Sequence, residues 1–226
     1  PKIKNVFTTK SNSHIQSNRI SDIVKDNNSN LWLGTYNGLH LFDPESQLFL
    51  HHTELTDAYI PSIINTIYVD KKNIWLGTPG GLYKLNFADG KLQIIETYTT
   101  EDGLFNDYIC GITSDSQGFL WITTASNLVR FDPFEASFIN FEKNDGVYTT
   151  SFNRNTLVNN LESGIIYAAG TDNLTYFNPE KIHFSNAKNQ FLFSYLTVNN
   201  KLAHANQAIN ESIVLKKEIS YVEELT

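Results

Sequence analysis

Leu31-Trp32-Leu33-Gly34-Thr35, followed closely by Gly38-Leu39-His40-Leu41-Phe42-Asp43-Pro44, returns as Ile74-Trp75-Leu76-Gly77-Thr78 with Gly81-Leu82-Tyr83-Lys84-Leu85. It returns again as Leu120-Trp121-Ile122-Thr123-Thr124 with Asn127-Leu128-Val129-Arg130-Phe131-Asp132-Pro133. Ahead of each copy runs an apolar stretch that closes on an acid: Ile20 to Asp26, Asn65 to Asp70, Tyr108 to Asp115. A weaker fourth copy, Gly164-Ile165-Ile166-Tyr167-Ala168-Ala169-Gly170 and Asn173-Leu174-Thr175-Tyr176-Phe177-Asn178-Pro179, has Tyr167 where the tryptophan stood. The ring positions are 43, 46 and 46 residues apart.

A period in the forties, filled with short β-branched and aromatic runs between Asn, Asp and Gly, is that of a four-stranded propeller blade and carries no helical periodicity. The 26 asparagines suit its turns, because their side chains mimic a backbone turn and tolerate positive φ. The predicted fold class is therefore all-β: about four four-stranded blades at 18–61, 62–105, 106–151 and 152–185. Each blade is read as an inner strand, the Trp strand, a third strand closed by Asp-Pro or Asn-Pro, and a variable outer strand. Residues 1–17 are read as an outer strand of a preceding or closing blade.

Trp32 and Gly34 share one parity and so one sheet face, while Leu31, Leu33 and Thr35 take the other. Both faces are apolar, as expected of a blade between neighbours. Trp32, Gly34, Trp75, Gly77, Trp121 and Tyr167 are read as blade-packing positions, with a Trp covering the bare backbone that a Gly leaves. From 186 onward the period breaks. Phe191 to Lys201 reads as a strand entering an Asn199-Asn200 turn, Ser212-Ile213-Val214-Leu215 as another strand, and the segment as a truncated second β domain.

The chain has 226 residues, a hydrophobic share of 41% and a net charge of −7, enough apolar matter for a core and the wrong sign for a nucleic-acid or anionic-membrane surface. The single cysteine, Cys110, excludes an internal disulfide framework and a Cys-rich zinc site, and reads as a small buried hydrophobe. No run approaches the length of a membrane helix. The chain starts at Pro1 and contains no Met, from which we expect a piece of something longer.

Asp26-Asn27-Asn28-Ser29-Asn30 has oxygen ligands at alternate positions but lacks the glycine and glutamate of a calcium loop, so it reads as a hairpin turn. Thr78-Pro79-Gly80-Gly81 has no following Gly-Lys-Ser/Thr and reads as a turn. His51 and His52, as strand neighbours, are expected to point to opposite faces and not to share an ion. No nucleophile elbow is present, and Glu101-Asp102 is an adjacent turn pair. Neither a catalytic residue, a metal site nor a cofactor is expected. What remains is the rim carrying the loops between second and third strands and between blades. It holds Tyr36, Asn37, Asp57, Tyr59, Asn106, Asp107, Tyr108, Tyr148, Asn153 and Arg154. Aromatic planes among planar polar groups can stack on the C–H faces of a sugar and bridge its hydroxyls, so these are the candidate ligand-binding residues.

The pattern Asn-x-Ile-x-x-Ile-x-x-Asp, Leu-Trp-Leu-Gly-Thr and Gly-Leu-x-x-Phe-Asp-Pro, with Glu101-Asp102-Gly103-Leu104 and Asn144-Asp145-Gly146-Val147 before the next inner strands, resembles the two-component regulator propeller repeat of hybrid two-component sensors in Bacteroidetes. Tyr195 to Lys201 resembles the opening of the tyrosine-rich immunoglobulin-like domain that follows such propellers. The resemblance implies a slice of a larger propeller in a periplasmic sensor ectodomain. Such a sensor binds oligosaccharide, signals through the next domain and a membrane helix to a histidine kinase and phosphorelay that regulate polysaccharide-utilisation genes, and acts as a homodimer with its remaining blades and domains. The family motif marks packing, so it transfers no ligand residue. Two alternatives stand beside this reading: a propeller glycosidase or lyase, and a protein-interaction scaffold using exposed strand edges.

Overall fold

The computed structural model describes residues 6–11, 14–149 and 151–182, and the paired backbone of 197–198, 201–202, 208–209 and 212–213. Residues 1–182 form one compact unit and 183–226 another.

The first unit is a propeller of four antiparallel sheets, each laid down in chain order from the axis outward. The first holds β1 (Ile20–Lys25), β2 (Leu31–Thr35), β3 (Gly38–Asp43) and β4 (Leu48–His51). The second holds β5 (Thr66–Val69), β6 (Ile74–Thr78), β7 (Gly81–Ala88) and β8 (Lys91–Tyr98). The third holds β9 (Ile109–Ser114), β10 (Leu120–Thr124), β11 (Leu128–Asp132) and β12 (Ser137–Phe141), and the fourth β13 (Phe152–Asn160), β14 (Ile165–Gly170) and β15 (Leu174–Phe177). Inner strands β1, β5, β9 and β13 pack against one another in succession. Where four strands are expected in the fourth blade, three are present among the described residues. After Phe177 the chain passes into a 3₁₀ turn at Pro179–Lys181, capped by Asn178, and proline has no N–H to extend a ladder.

The repeated aspartate does more than end a strand. Asp26 Oδ1 accepts the Asn28 and Asn30 backbone N–H groups at 2.9 Å, while Oδ2 accepts the Trp32 indole N–H at 3.0 Å. Asp70 holds Lys72, Asn73 and Trp75 in the same way, and Asp115 holds Gln117, Phe119 and Trp121. One carboxylate thus shapes the first hairpin and sets the rotamer of the following ring. Burial pushes the Asp26 and Asp70 carboxyls up, but the hydrogen bonds from Asn30 and Trp32, and from Trp75, Lys72 and Asn73, outweigh it and hold both below the usual carboxylate range. The hairpin expected at Asp26–Asn30 is there, with Ser29 at positive φ.

The indoles are buried between blades. Trp32 meets Phe87 of the second blade edge-on at 5.0 Å, Trp75 meets Phe131 of the third at 5.8 Å, and Trp121 meets Phe177 of the fourth at 4.6 Å. Each is at most 1% exposed. Three cores follow, one for each blade junction, and a fourth cluster covers the outer face of the first sheet. In that cluster Phe7 packs on Phe42 and Phe49, both at 5.5 Å, beside buried Ile15. The described part of 6–17 contains no strand.

The motif glycines are covered differently from the expectation, by an aliphatic side chain of the next blade and not by an indole. A Cβ on Gly34 would stand 2.9 Å from Ile64 Cγ2, and one on Gly77 2.5 Å from Ile109 Cγ2. The third blade has Thr123 at this place, and the glycine has moved across the ladder. Thr66 faces Gly77 in the second blade, and Gly111 faces Thr123 in the third. One small residue in each cross-strand pair lets the neighbouring blade close in.

His51 and His52 also depart from expectation. The strand ends at His51, and His52 opens the short helix α1 (His52–Leu55), so their rings lie together at 4.0 Å, with His40 4.8 Å from His51. Among the described residues, no group of three or more His, Cys, Asp or Glu is placed to hold a metal ion. No described helix is long and apolar enough to cross a membrane.

In the second unit Thr197–Val198 pairs antiparallel with Lys201–Leu202, and Ala208–Ile209 with Ser212–Ile213. The rest of the expected strands, including Phe191 to Leu196 and Val214-Leu215, lies outside the described residues.

Candidate functional site

Three chain segments converge at the mouth of the axis, on the rim that carries the turns between second and third strands. The first is the approach to β1, where Arg19 stands. The second is the turn after β2, where Thr35 Oγ1 donates to the Gly38 carbonyl at 2.8 Å and leaves Tyr36 projecting; Thr78 Oγ1 makes the equivalent bond to Gly81 at 2.9 Å. The third is an enlarged bulge in β13. Phe152 pairs with Gly170 and Leu157 with Ala168, so residues 153–156 bow out opposite Ala169 alone. Asn155 takes positive φ, a conformation asparagine tolerates, and Thr156 Oγ1 ties the bulge to the Asn153 and Ala169 carbonyls.

The bulge reaches across the axis. Arg154 Nη1 donates to the Tyr36 hydroxyl and, at 3.3 Å, to Asn65 Oδ1. Asn155 Nδ2 donates to the Ser21 carbonyl at 2.5 Å. The Arg19 guanidinium lies 3.8 Å over the Tyr36 ring, while that of Arg154 is 5.5 Å from the same centroid. These groups, with Asn18 and Ile20, enclose a cleft of about 390 Å³. Asn65 is fully buried, and its amide N–H₂ donates to the Ile109 carbonyl at 2.8 Å, which orients Oδ1 toward Arg154. The nearby Asp22 carboxylate does not line the cleft. It accepts the Ile67 N–H at 2.7 Å, and burial raises its pKa over the opposing effect of its hydrogen bonds.

Of the residues nominated from sequence, Tyr36 and Arg154 meet in this cleft, and Asn153 belongs to the bulge beside it. Tyr59 and Tyr148, 77% and 64% exposed, stand elsewhere on the surface. Asn106, Asp107 and Tyr108 are engaged in turn structure: Asn106 Oδ1 accepts the Tyr108 N–H, Asp107 Oδ1 the Thr100 N–H, and the Tyr108 carbonyl the Ala125 N–H. Sequence reasoning missed Arg19, Asn65 and Asn155. A usable signal existed for Asn65, since an Asn opens the apolar run of two repeats, at 18 and 65.

A second cleft, of about 260 Å³, lies by the first hairpins of blades one and two. Its carboxylates Asp26 and Asp70 are already engaged by the indoles and turn amides, which leaves them little to offer a ligand.

A β-propeller built on repeated Asp–turn–Trp clasps is the class that this fold defines. The family model described as "Two component regulator propeller" matches residues 14–37. The chain is 26% identical to the extracellular domain of the putative hybrid two component system BT3049 from B. thetaiotaomicron, with a TM-score of 0.64 over 76% of this chain and 23% of that one. It is similar in fold to the extracellular domain of BT4673 from the same organism, with a TM-score of 0.63, 20% identity, and coverage of 83% and 27%. It is also 29% identical to Histidine kinase P4 of Formosa agariphila over 87% of this chain, and spans only 18% of that relative's length. The propeller is thus of the kind found in extracellular domains of hybrid two-component sensors.

Proposed function

We propose that this chain is a non-catalytic part of the extracytoplasmic sensor region of a hybrid two-component histidine kinase, that it lies in the periplasm, and that it recognises an oligosaccharide at the axial mouth. The supporting observation is the cleft around Tyr36: an aromatic ring flanked by amides and guanidinium groups from three segments, which suits a sugar ring and its hydroxyls. In the whole sensor, further blades complete the propeller, residues 186–226 open an immunoglobulin-like domain, and a homodimer relays the change to the kinase and its phosphorelay. Signalling requires a ligand with unequal affinity for two arrangements of the blades.

The test is to incubate the chain with a panel of glycan oligosaccharides and follow thermal unfolding and product formation together. We expect a raised melting temperature with one glycan class and no product. Turnover would establish a glycosidase or lyase instead, and self-association or a protein partner with no response to any sugar would establish a scaffold.

A further inference from the structure

Two of the chain's three arginines, Arg19 and Arg154, stand against one tyrosine in a protein whose net charge is −7. Among the described residues neither is paired with a carboxylate, and the ion pair found there, Lys84 with Glu96, lies on the second blade. The cleft they border is lined by no acidic side chain. The Arg19 guanidinium lies over the Tyr36 ring and makes no hydrogen bond to a described residue, so among the described residues no acceptor takes its N–H groups. Arg154 uses Nη1 on Tyr36 and Asn65, and those bonds hold its fork in place from two sides. Placing two cations together without a counter-ion is unfavourable, and an anion seated between them relieves it. Guanidinium edges suit a carboxylate or sulfate, which they hold by paired charge-assisted hydrogen bonds.

We infer that the cleft takes an acidic oligosaccharide, with a carboxylate or sulfate held by Arg19 and Arg154 beside a sugar ring on Tyr36. The inference rests on the oligosaccharide reading above and adds the charge of the ligand.

Calorimetric titration of the full chain separates the two. The probes are oligogalacturonate for a carboxylate, chondroitin sulfate oligosaccharides for a sulfate, neutral galactan and xylan oligosaccharides of similar length, and inorganic sulfate. One acidic series is expected to bind at least about tenfold more tightly than the neutral ones, and to weaken about tenfold or more in Arg19→Gln, in Arg154→Gln, and on raising salt. Arg154→Lys, which keeps the charge but loses the fork, is expected to recover only part of the affinity. Arg19 is exposed and outside the strands, so Arg19→Gln carries the test should Arg154→Gln unfold. Neutral oligosaccharides binding as tightly as acidic ones, or acidic ones binding both variants unchanged, would overturn the inference and leave the sensor reading standing. Inorganic sulfate competing as well as the oligosaccharide would reduce the cleft to a bare anion site and overturn it too. Failure of every saccharide to bind would overturn both.

Discussion

At the scale of single residues, the aspartate that follows each of the first three inner strands is the part that everything nearby depends on. Asp70 satisfies two turn N–H groups and the Trp75 indole at once, and Trp75 is the ring that joins the second blade to the third. Asp70→Ala leaves those donors without their acceptor and frees the ring. We expect a loss of about 2–3 kcal/mol in urea unfolding. Asp70→Asn keeps an acceptor for the turn and is expected to lose about 1 kcal/mol. The fourth blade already has Asn160 at this place, capping Glu162 and Ser163, beside Tyr167 in place of an indole. Equal losses in the two variants would show that the carboxylate's reach to the indole, and not the turn, carries the stability. The recurrence of aspartate and tryptophan was plain in the sequence. Their bond was not, because a hydrogen bond between the last residue of one strand and a ring on the next depends on the turn that both define.

At the scale of elements, the end of β4 and the start of α1 bring three histidines together. Burial first, then the neighbouring His51 and His52, depresses His40 to about 4; burial and His51 do the same to His52. Both lie below the ordinary 6.5, so in the window between about 4 and 6.5 the unfolded chain takes up protons that the folded chain refuses. Their contribution to stability is whole above the upper limit and is lost as pH falls toward the lower one. The expected loss is on the order of 3 kcal/mol for each of the two imidazoles, read as a falling melting temperature between neutral pH and pH ~4. His40→Phe, which fills the site without titrating, should reduce the slope by about half, whereas a slope unchanged in that variant would assign the loss to His52 and the carboxylates. Alternation along a strand put His51 and His52 on opposite faces. The strand stops between them, and no period-2 pattern states where a strand stops.

For the whole molecule, the blades are joined in two ways. Indoles between neighbouring sheets bury apolar area, and the β13 bulge joins the fourth blade to the first across the axis. The second link is polar and spans 134 residues from Ser21 to Asn155. Asn155→Ala removes that side-chain bond and leaves the cores intact. Unfolding free energy is expected to change by about 1 kcal/mol or less, while amide exchange of β1 residues speeds up. Protection of β1 as strong as before would mean that the inner strands hold their places without the Asn155 bond, leaving the Arg154 bonds to Tyr36 and Asn65 as the link between the blades.

The amino-acid sequence alone determined the blade. Short-range alternation and a repeat in the forties put Trp32, Trp75 and Trp121 on faces that a neighbouring sheet must cover, and burial of large rings permits few other solutions. Only the tertiary structure decided the cleft. Arg154 and Tyr36 are 118 residues apart, and they meet because a four-residue bulge breaks the strand's alternation and the stacking of sheets aims it across the axis. Strand periodicity is a local property that repetition makes visible, whereas the convergence of loops depends on how whole sheets pack, and no stretch of the chain carries that by itself.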